Sequence, residues 1–370
     1  MRIAVVNLTG GGLSGGYRKY LQNILPLMAK DARVTGLKVF LPPGNDALIL
    51  GSTVAVHSIP SFNPLRKVSW LKSEIAKWQP DVVFIPTARG FECGGIPVIT
   101  MVRNMEPLVV PFNGNPTRER IINIGRIVIA RSACRRAERV IAVSNYVKNY
   151  LVEKWNINEH RIGVVYHGID YDPHLSGNSE RAAASIESSP FLFTAGSIRP
   201  ARGLEDIIRA LAILNTKQPM QLAIGGNADP GMEPYFIRLK KMAAISGITE
   251  RIYWLGKLND SEMAWCYSHC DAFIMTSRVE ACPNIALEAM SHGCVNIASK
   301  NPPLPEFFGA SALYYPPKDS TTLAKQIQAA LSMGEAERAA MSSAAKDRAS
   351  RFSWEICAQK TVDELRKALQ

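Results

Sequence analysis

The chain has 370 residues, 47% of them apolar and 20% charged, which suits two domains with cores of their own and argues against wholesale disorder. Its formal charge is +11 and uneven: residues 1–180 carry +9, residues 181–370 only +2. The longest apolar runs, such as Asp81–Pro86 and Ile96–Val102, fall far short of the roughly 18 residues that span a bilayer, and Met1–Leu8 is too short for a signal-peptide core, so neither a span nor export by that route is expected.

Ile3–Asn7 reads as a first buried strand. A glycine-rich loop, Gly10 to Gly16, follows it. From Gly15 to Ala29, Tyr17, Tyr20, Leu21, Ile24, Leu25 and Met28 recur at helical spacing. Trp70 and Trp78 stand in a basic stretch with Arg66, Lys67, Lys72 and Lys77. Val82–Ile85, Val98–Val102, Val140–Val143 and Ile162–Tyr166 read as further buried strands. Arg118 to Arg139 carries seven arginines against Glu119 and Glu138, interleaved with Ile121, Ile122, Ile124, Ile127, Val128 and Ile129. A helix with one apolar and one basic face is expected there. Three readings stay open for it: the apolar face packs in its own domain, the helix is drawn to anionic lipid headgroups, or it is a nucleic-acid footprint. The last is disfavoured, because no recognised nucleic-acid module accompanies it. The two tryptophans add aromatic anchors to the membrane-surface reading.

Leu175 to Pro190 is turn and linker chemistry. A second series follows: strand Phe191–Ala195, helix Leu204–Leu214, strand Gln221–Ile224, helix Glu233–Ser246, strands Ile252–Leu255, Ala272–Met275 and Val295–Ala298, and a helix from about Asn284 to His292. Ser353 caps a last helix running to Gln370. Buried strands without polar alternation, separated by helices, imply parallel sheets covered on both faces. The expected fold is α/β, two Rossmann-like parallel-sheet domains facing a central cleft, with a ligand outside the carboxyl ends of the strands.

Seven scattered cysteines with no C-x-x-C pair read as reduced thiols. Cys266, His269 and Cys270 share part of a helix face, but no second ligand pair has zinc spacing, so they read as buried helix residues rather than a metal site. The strongest motif runs from Ser277 to Gly293. Glu280 and Glu288 lie eight positions apart across a loop-to-helix junction, with Pro283 suited to the first turn and Gly293 to the stop. Amides of Asn284 and Ile285 at that helix start suit an anion. A carboxylate beside a diphosphate would repel it, so each glutamate is better placed on neutral hydroxyls: Glu288 on a ribose, Glu280 on a sugar. Gly196-Ser197-Ile198-Arg199-Pro200-Ala201-Arg202 sets two arginines on a strand-end loop, where they could converge on a diphosphate and stabilise the charge a leaving group gains. Gly10–Gly16 could pass close to a phosphate at a helix start or be a plain tight turn. It is not G-x-G-x-x-G, and Asp31 sits in a polar turn, which disfavours a nicotinamide-binding fold. The loops Gly225-Gly226-Asn227 and Gly256-Lys257-Leu258 suit the reading of a base edge.

These residues resemble family 4 of the glycosyltransferases, which have the GT-B fold; the likeness covers nearly the whole chain and is strongest from Phe191 to Tyr315. Glu280 and Glu288 look like the family's E-x7-E motif, with Cys282, Pro283, Asn284 and Ile285 inside it. Gly196 to Arg202 looks like its phosphate-binding loop, with Arg202 at the usual lysine place, Ser197 at the usual arginine place and Arg199 as the substitute. Gly15 and Gly16 look like the glycine pair that faces the donor phosphates. The resemblance implies an acceptor-binding domain over 1–175, joined by a C-terminal helix, 353–370, that crosses back to it, and a nucleotide-sugar-binding domain over 190–352. It implies retaining, metal-independent transfer, with no cofactor, of a hexose-type sugar from a nucleotide-diphosphate sugar to a glycan or lipid-linked acceptor, as in cell-surface polysaccharide or lipopolysaccharide biosynthesis. Glu280, Arg202 and Arg199 would be catalytic. Gly15, Gly16, Gly196, Ser197, Gly226, Asn227, Lys257, Leu258, Cys282 to Ile285 and Glu288 would hold the donor. Asp170-Tyr171-Asp172 looks like a metal-binding D-x-D but falls at an interdomain strand end. Many relatives carry a histidine after the strand that ends at Val102; this chain has Arg103-Asn104-Met105-Glu106, and Asn104 or Glu106 is the candidate contact with donor sugar or acceptor. A cytoplasmic enzyme, peripheral on the inner face of the membrane and without a nucleic-acid partner, is the expectation. A nucleotide-sugar epimerase of the same fold and a catalytically silent binding subunit are the alternatives.

Overall fold

The computed structural model describes residues 1–9, 15–43, 54–61, 63–109, 114–170, 186, 190–214 and 220–370. Most of the expected linker, the first part of the glycine loop, and Tyr171 and Asp172 lie outside the described residues. The chain forms two units, one of Met1–Leu108, Asn123–Gly168 and Phe352–Gln370, the other of Val109–Ile122 and Ile169–Arg351.

Thirteen strands are found among the described residues: β1 (Arg2–Val6), β2 (Gly36–Leu41), β3 (Ala55–Ser58), β4 (Val82–Ile85), β5 (Val98–Val102), β6 (Arg139–Ala142), β7 (Ile162–Val164), β8 (Phe191–Ala195), β9 (Gln221–Gly225), β10 (Ile252–Gly256), β11 (Ala272–Met275), β12 (Asn296–Ser299) and β13 (Leu313–Tyr315). The helices are α1 (Gly15–Lys30), α2 (Pro64–Trp78), α3 (Thr117–Arg136), α4 (Asn145–Trp155), α5 (Glu205–Leu214), α6 (Glu233–Ile245), α7 (Asp260–His269), α8 (Asn284–Ser291), α9 (Leu304–Phe308), α10 (Ser320–Ser332), α11 (Glu335–Ala349) and α12 (Trp354–Lys367).

The strands form two all-parallel sheets, in the orders β3-β2-β1-β4-β5-β6-β7 and β10-β9-β8-β11-β12-β13. The central strands explain the parallel pairing: β4 and β8 are buried at every position, so each needs cover on both faces. In each sheet the chain starts in the middle and then moves to the other side, which puts a crevice beside β1 and β4 in one sheet and beside β8 and β11 in the other.

The expected apolar stripe of α1 is entirely buried. Ser353 caps α12 by accepting from the Ile356 amide at 3.1 Å. This last helix packs in the first unit. Its Trp354 meets Tyr20 edge-on at 6.1 Å, and its Glu364 accepts two hydrogen bonds from Arg139 at 2.9 and 2.6 Å. A Cβ on Gly163 would come within 2.2 Å of Glu364 Cδ, so glycine at this point of β7 is what lets the helix lie so close.

Two sequence expectations need correction. The expected helix stops at Arg136, Arg139 belonging to β6, and its aliphatic residues do not form its buried face. Ile121, Ile124, Val128 and Ile129 are 55–65% exposed, and the buried positions are Asn123, Ala130, Ala133 and Cys134. At about 3.6 residues per turn these small residues form a stripe of their own, and the isoleucines share the remaining faces with the arginines. Trp70 and Trp78 are not surface anchors either. Trp70 packs edge-on against Phe40 at 6.2 Å, and Trp78 lies under Arg2 and Lys38.

Candidate active site

The loops at the carboxyl ends of β8 and β11 are tied together by backbone. Thr276 Oγ1 donates to the Arg202 carbonyl at 2.6 Å, and the Arg278 amide donates to the Ala201 carbonyl at 2.7 Å. Beneath them Asp206, fully buried at the start of α5, accepts from both terminal nitrogens of Arg278 at 2.7 and 2.5 Å, from the Tyr315 hydroxyl at 3.1 Å and from the Lys318 amide at 3.0 Å. Burial is the largest influence on Arg278, yet the Asp206 carboxylate outweighs it and holds the guanidinium above its usual range.

On this base Arg202 turns its guanidinium toward the second loop. Its Nη1 pairs with Glu280 and donates to Ser277 Oγ at 3.3 Å. Gly196, with φ +121°, makes room for that side chain: a Cβ there would sit 2.8 Å from Arg202 Nε. Gly226, with φ +131°, lies against the Gly196 carbonyl, where a Cβ would come within 2.0 Å. The Ile198 amide, next to Ser197, donates to the Asn227 carbonyl at 2.8 Å, and the Gly226 amide to the Gly256 carbonyl at 2.7 Å. Leu258 packs so close to Gly225 that a Cβ there would meet its Cδ1 at 2.8 Å. Three loops following β8, β9 and β10 are thereby brought into one surface, with Lys257 exposed beside it.

Helix α8 begins as expected, at Asn284 after Pro283. Like any helix start, its first turn carries amides that lack a partner inside the helix. Pro283 is buried, while Cys282, Asn284, Ile285 and Glu288 are half-buried. Glu288 accepts from the Tyr267 hydroxyl at 3.1 Å, and that hydroxyl also reaches the Ile285 carbonyl at 3.4 Å. Burial, then the Glu288 charge, push the phenol well above its ordinary range, so Tyr267 stays a neutral donor that fixes the glutamate.

Arg199 pairs through its Nη1 with Asp229 Oδ2 at 2.9 Å, a different carboxylate from the one that faces Arg202. Tyr267, Asp229 and the Arg278–Asp206 pair were not singled out from sequence. Each meets its partner only through the fold, and the one local signal was Arg278 inside the glutamate motif. Cys266 is buried and Cys270 donates to the Tyr267 carbonyl; no group of three or more His, Cys, Asp or Glu residues able to hold a metal occurs among the described residues.

In the first unit Gly15 and Gly16 open α1 and are exposed, and a Cβ on Gly15 would meet nothing within 4 Å. Packing among the described residues therefore does not demand glycine at 15. Asn104 is exposed, and its Oδ1 accepts from the Glu106 amide at 3.1 Å.

Two Rossmann-type parallel sheets in succession, with polar loops gathered at strand carboxyl ends, define the GT-B class of fold. Residues 37–173 match the family Glycosyltransferase Family 4, and residues 178–348 match Glycosyl transferases group 1. The chain therefore has the GT-B fold and carries, one after the other, two regions that match glycosyltransferase families. An uncharacterized glycosyltransferase of Methanocaldococcus jannaschii is 25% identical over 63% of this chain and 60% of its own length. A serotype-specific mannosyltransferase of Escherichia coli is 25% identical over 64% of this chain and 29% of its own length. The chain thus spans less than two thirds of either relative. The crystal structure of the Anabaena protein HepE in complex with UDP has the same fold, with a TM-score of 0.77 at 19% identity over 99% of this chain and 100% of that one.

Proposed function

We propose that the enzyme transfers a hexose-type sugar, with retention of anomeric configuration, from a nucleotide-diphosphate sugar to a glycan or lipid-linked acceptor of cell-surface polysaccharide or lipopolysaccharide synthesis. The observation that carries this is the meeting of Arg202 with Glu280 beside β8 and β11, where the chain changes sides in its sheet. Ligands of open α/β sheets bind at such a point. Arg202 supplies the cation that a departing diphosphate needs as its negative charge grows. The start of α8 offers amides and a partial positive charge to the same phosphates. Glu280 holds sugar hydroxyls, and Glu288, steadied by Tyr267, holds the ribose. Gly15 and Gly16, at the start of α1, are assigned to the donor phosphates. In this chemistry the leaving diphosphate helps take the proton of the incoming hydroxyl on the sugar face it has just left, and no metal or cofactor is required. Asn104 and Glu106 serve the sugar or the acceptor. The mannosyltransferase relative and the UDP-bound structural neighbour support the donor class.

The acceptor side is read from α3. No helix among the described residues is long and apolar enough to cross a membrane. The exposed Ile124, Val128 and Ile129, mixed with the exposed Arg131, Arg135 and Arg136, suit peripheral contact with an anionic bilayer. The test of the central reading is incubation with a panel of nucleotide sugars and candidate acceptors. Nuclear magnetic resonance then reads the anomeric configuration of any product. Transfer with retention is expected; an inverted product, an epimerised donor, or binding without turnover would each overturn it.

A further inference from the structure

A cavity of about 140 Å³ opens in the first unit beyond the carboxyl ends of β4 and β5, lined among others by Thr87, Arg89, Arg103, Asn104, Arg126 and Ile129. Among the described residues no acidic side chain lines it. Arg89 Nη1 donates to the Leu8 carbonyl at 2.7 Å, and Arg103 Nε donates to the Pro86 carbonyl at 3.2 Å. The Arg103 guanidinium also lies 3.6 Å from the centre of the Tyr17 ring. These partners are carbonyls and a ring, so they orient two positive charges without neutralising them. Arg126, from α3, adds a third, its Nη1 donating to Asn123 Oδ1 at 2.8 Å. Burial and then the Arg126 charge pull Arg89 below its usual range, and burial does the same to Arg103. Thr87 is only 7% exposed, and its hydroxyl has no hydrogen-bond partner among the described residues. A buried hydroxyl left unpaired costs about 1–3 kcal/mol, which a ligand accepting its proton would recover.

We propose that this hollow binds a phosphate-type oxyanion carried by the acceptor, held by Arg89, Arg103 and Arg126 and completed by the Thr87 hydroxyl. The assignment to the acceptor rests on the transferase reading above; the anion site itself does not. The phosphate belongs either to a soluble phosphorylated sugar or to a lipid-linked one. The experiment is calorimetric titration of the full chain with a hexose 6-phosphate and with the same neutral hexose, and vesicle flotation with phosphatidic acid against phosphatidylcholine. Thr87→Val and Arg126→Gln are the variants. Thr87→Val removes a hydroxyl that bonds nothing among the described residues, and Arg126 lies exposed on α3.

The hexose phosphate, or failing it the phosphatidic acid vesicle, should bind at least about tenfold better than its neutral counterpart. The first result names a soluble source and the second a lipid one. Arg126→Gln should weaken that binding about tenfold and Thr87→Val about fivefold, the factors expected for a charged and a neutral hydrogen bond. Nucleoside diphosphate affinity should be unchanged in both, which also reports an intact fold. If neither phosphate probe is preferred, or the variants bind as the parent does, the proposal falls. A matching loss of nucleoside diphosphate affinity would assign the hollow to the donor and overturn it too. Variant-sensitive phosphate binding in a protein that transfers no sugar would leave the site standing while the transferase reading fails.

Discussion

Replacing Glu280 by Gln separates two effects that one carboxylate has in this site. Glu280 is paired with Arg202, with the two side chains 13% and 24% exposed. If Arg202 is the cation that meets the diphosphate, an incoming nucleoside diphosphate must draw the guanidinium away from Glu280. A partly exposed pair of this kind contributes about 1 kcal/mol, which is about fivefold in a dissociation constant. Gln keeps the shape and an acceptor oxygen but not the charge. Affinity for free nucleoside diphosphate should therefore rise about fivefold in Glu280→Gln. Transfer should move the other way. Losing a charged acceptor for the sugar hydroxyls removes about 3 kcal/mol at most, a fall of about 100-fold in rate. Titration calorimetry with the nucleoside diphosphate and initial rates with the nucleotide sugar read the two effects. Arg202→Met is the companion variant, and it should lose affinity and turnover together, the former by at least about tenfold. A parallel fall of affinity and turnover in Glu280→Gln would refute the reasoning, because Glu280 would then support the phosphate rather than compete for its cation.

Asp206→Ala strands the Arg278 guanidinium in a buried setting and removes four hydrogen bonds; breaking such a pair typically costs about 3–5 kcal/mol. Urea denaturation should show that loss, and a change under about 1 kcal/mol would mean the pair is not what fixes the loop. Changing Arg131, Arg135 and Arg136 together to Gln removes about 1 kcal/mol each at an anionic surface, so vesicle binding at low salt should drop about 100-fold. Binding indifferent to these changes and to salt would exclude α3 as the contact. Half-buried Cys282 should react with maleimide at pH 8 and be slowed by nucleoside diphosphate, whereas Cys134, Cys266 and Cys357, whose thiols burial pushes up to about 12, should resist until the protein unfolds. Equal labelling of Cys282 with and without the nucleotide would remove it from the site.

Elements that bury a continuous or regularly spaced set of large side chains were legible in the sequence. α1, β8, β11 and the start of α8 fall within a residue of where the pattern puts them, because nothing else in those segments competes for the core. β2 and β3 went unread. β3 is a short edge strand with no fully buried position, so its sequence carries little signal. The face of α3 was misjudged for a related reason. A count of isoleucines assumes that the largest side chains go inside, yet here the close approach is made by Ala130, Ala133 and Cys134. The candidate site divides in the same way. Glu280, Glu288 and Arg202 stand in motifs whose spacing is local. Asp206 and Arg278 are 72 residues apart, as Arg199 and Asp229 are 30 apart, and no spacing rule connects them before the strands are laid in order.

The two sheets treat their strand-end arginines in opposite ways, and the contrast bears on what each end binds. In the second unit Arg199, Arg202 and Arg278 each face a carboxylate. Of these pairs only Arg278–Asp206 has a fully buried carboxylate, so it is structural, whereas Arg202–Glu280 keeps enough exposure for the cation to change partners. A guanidinium held by a carboxylate can take a phosphate in exchange, and the net gain is the difference between two similar interactions. Such a site would release its ligand readily, which under the proposed function suits a donor whose nucleoside diphosphate leaves in every cycle. In the first unit Arg89 and Arg103 are held by carbonyls and a ring, and an arriving anion displaces no carboxylate from them. The same phosphate would be held there more tightly per contact, and more steeply weakened by salt. An acceptor anchored by its charge while the neutral donor sugar is exchanged would follow from that difference alone.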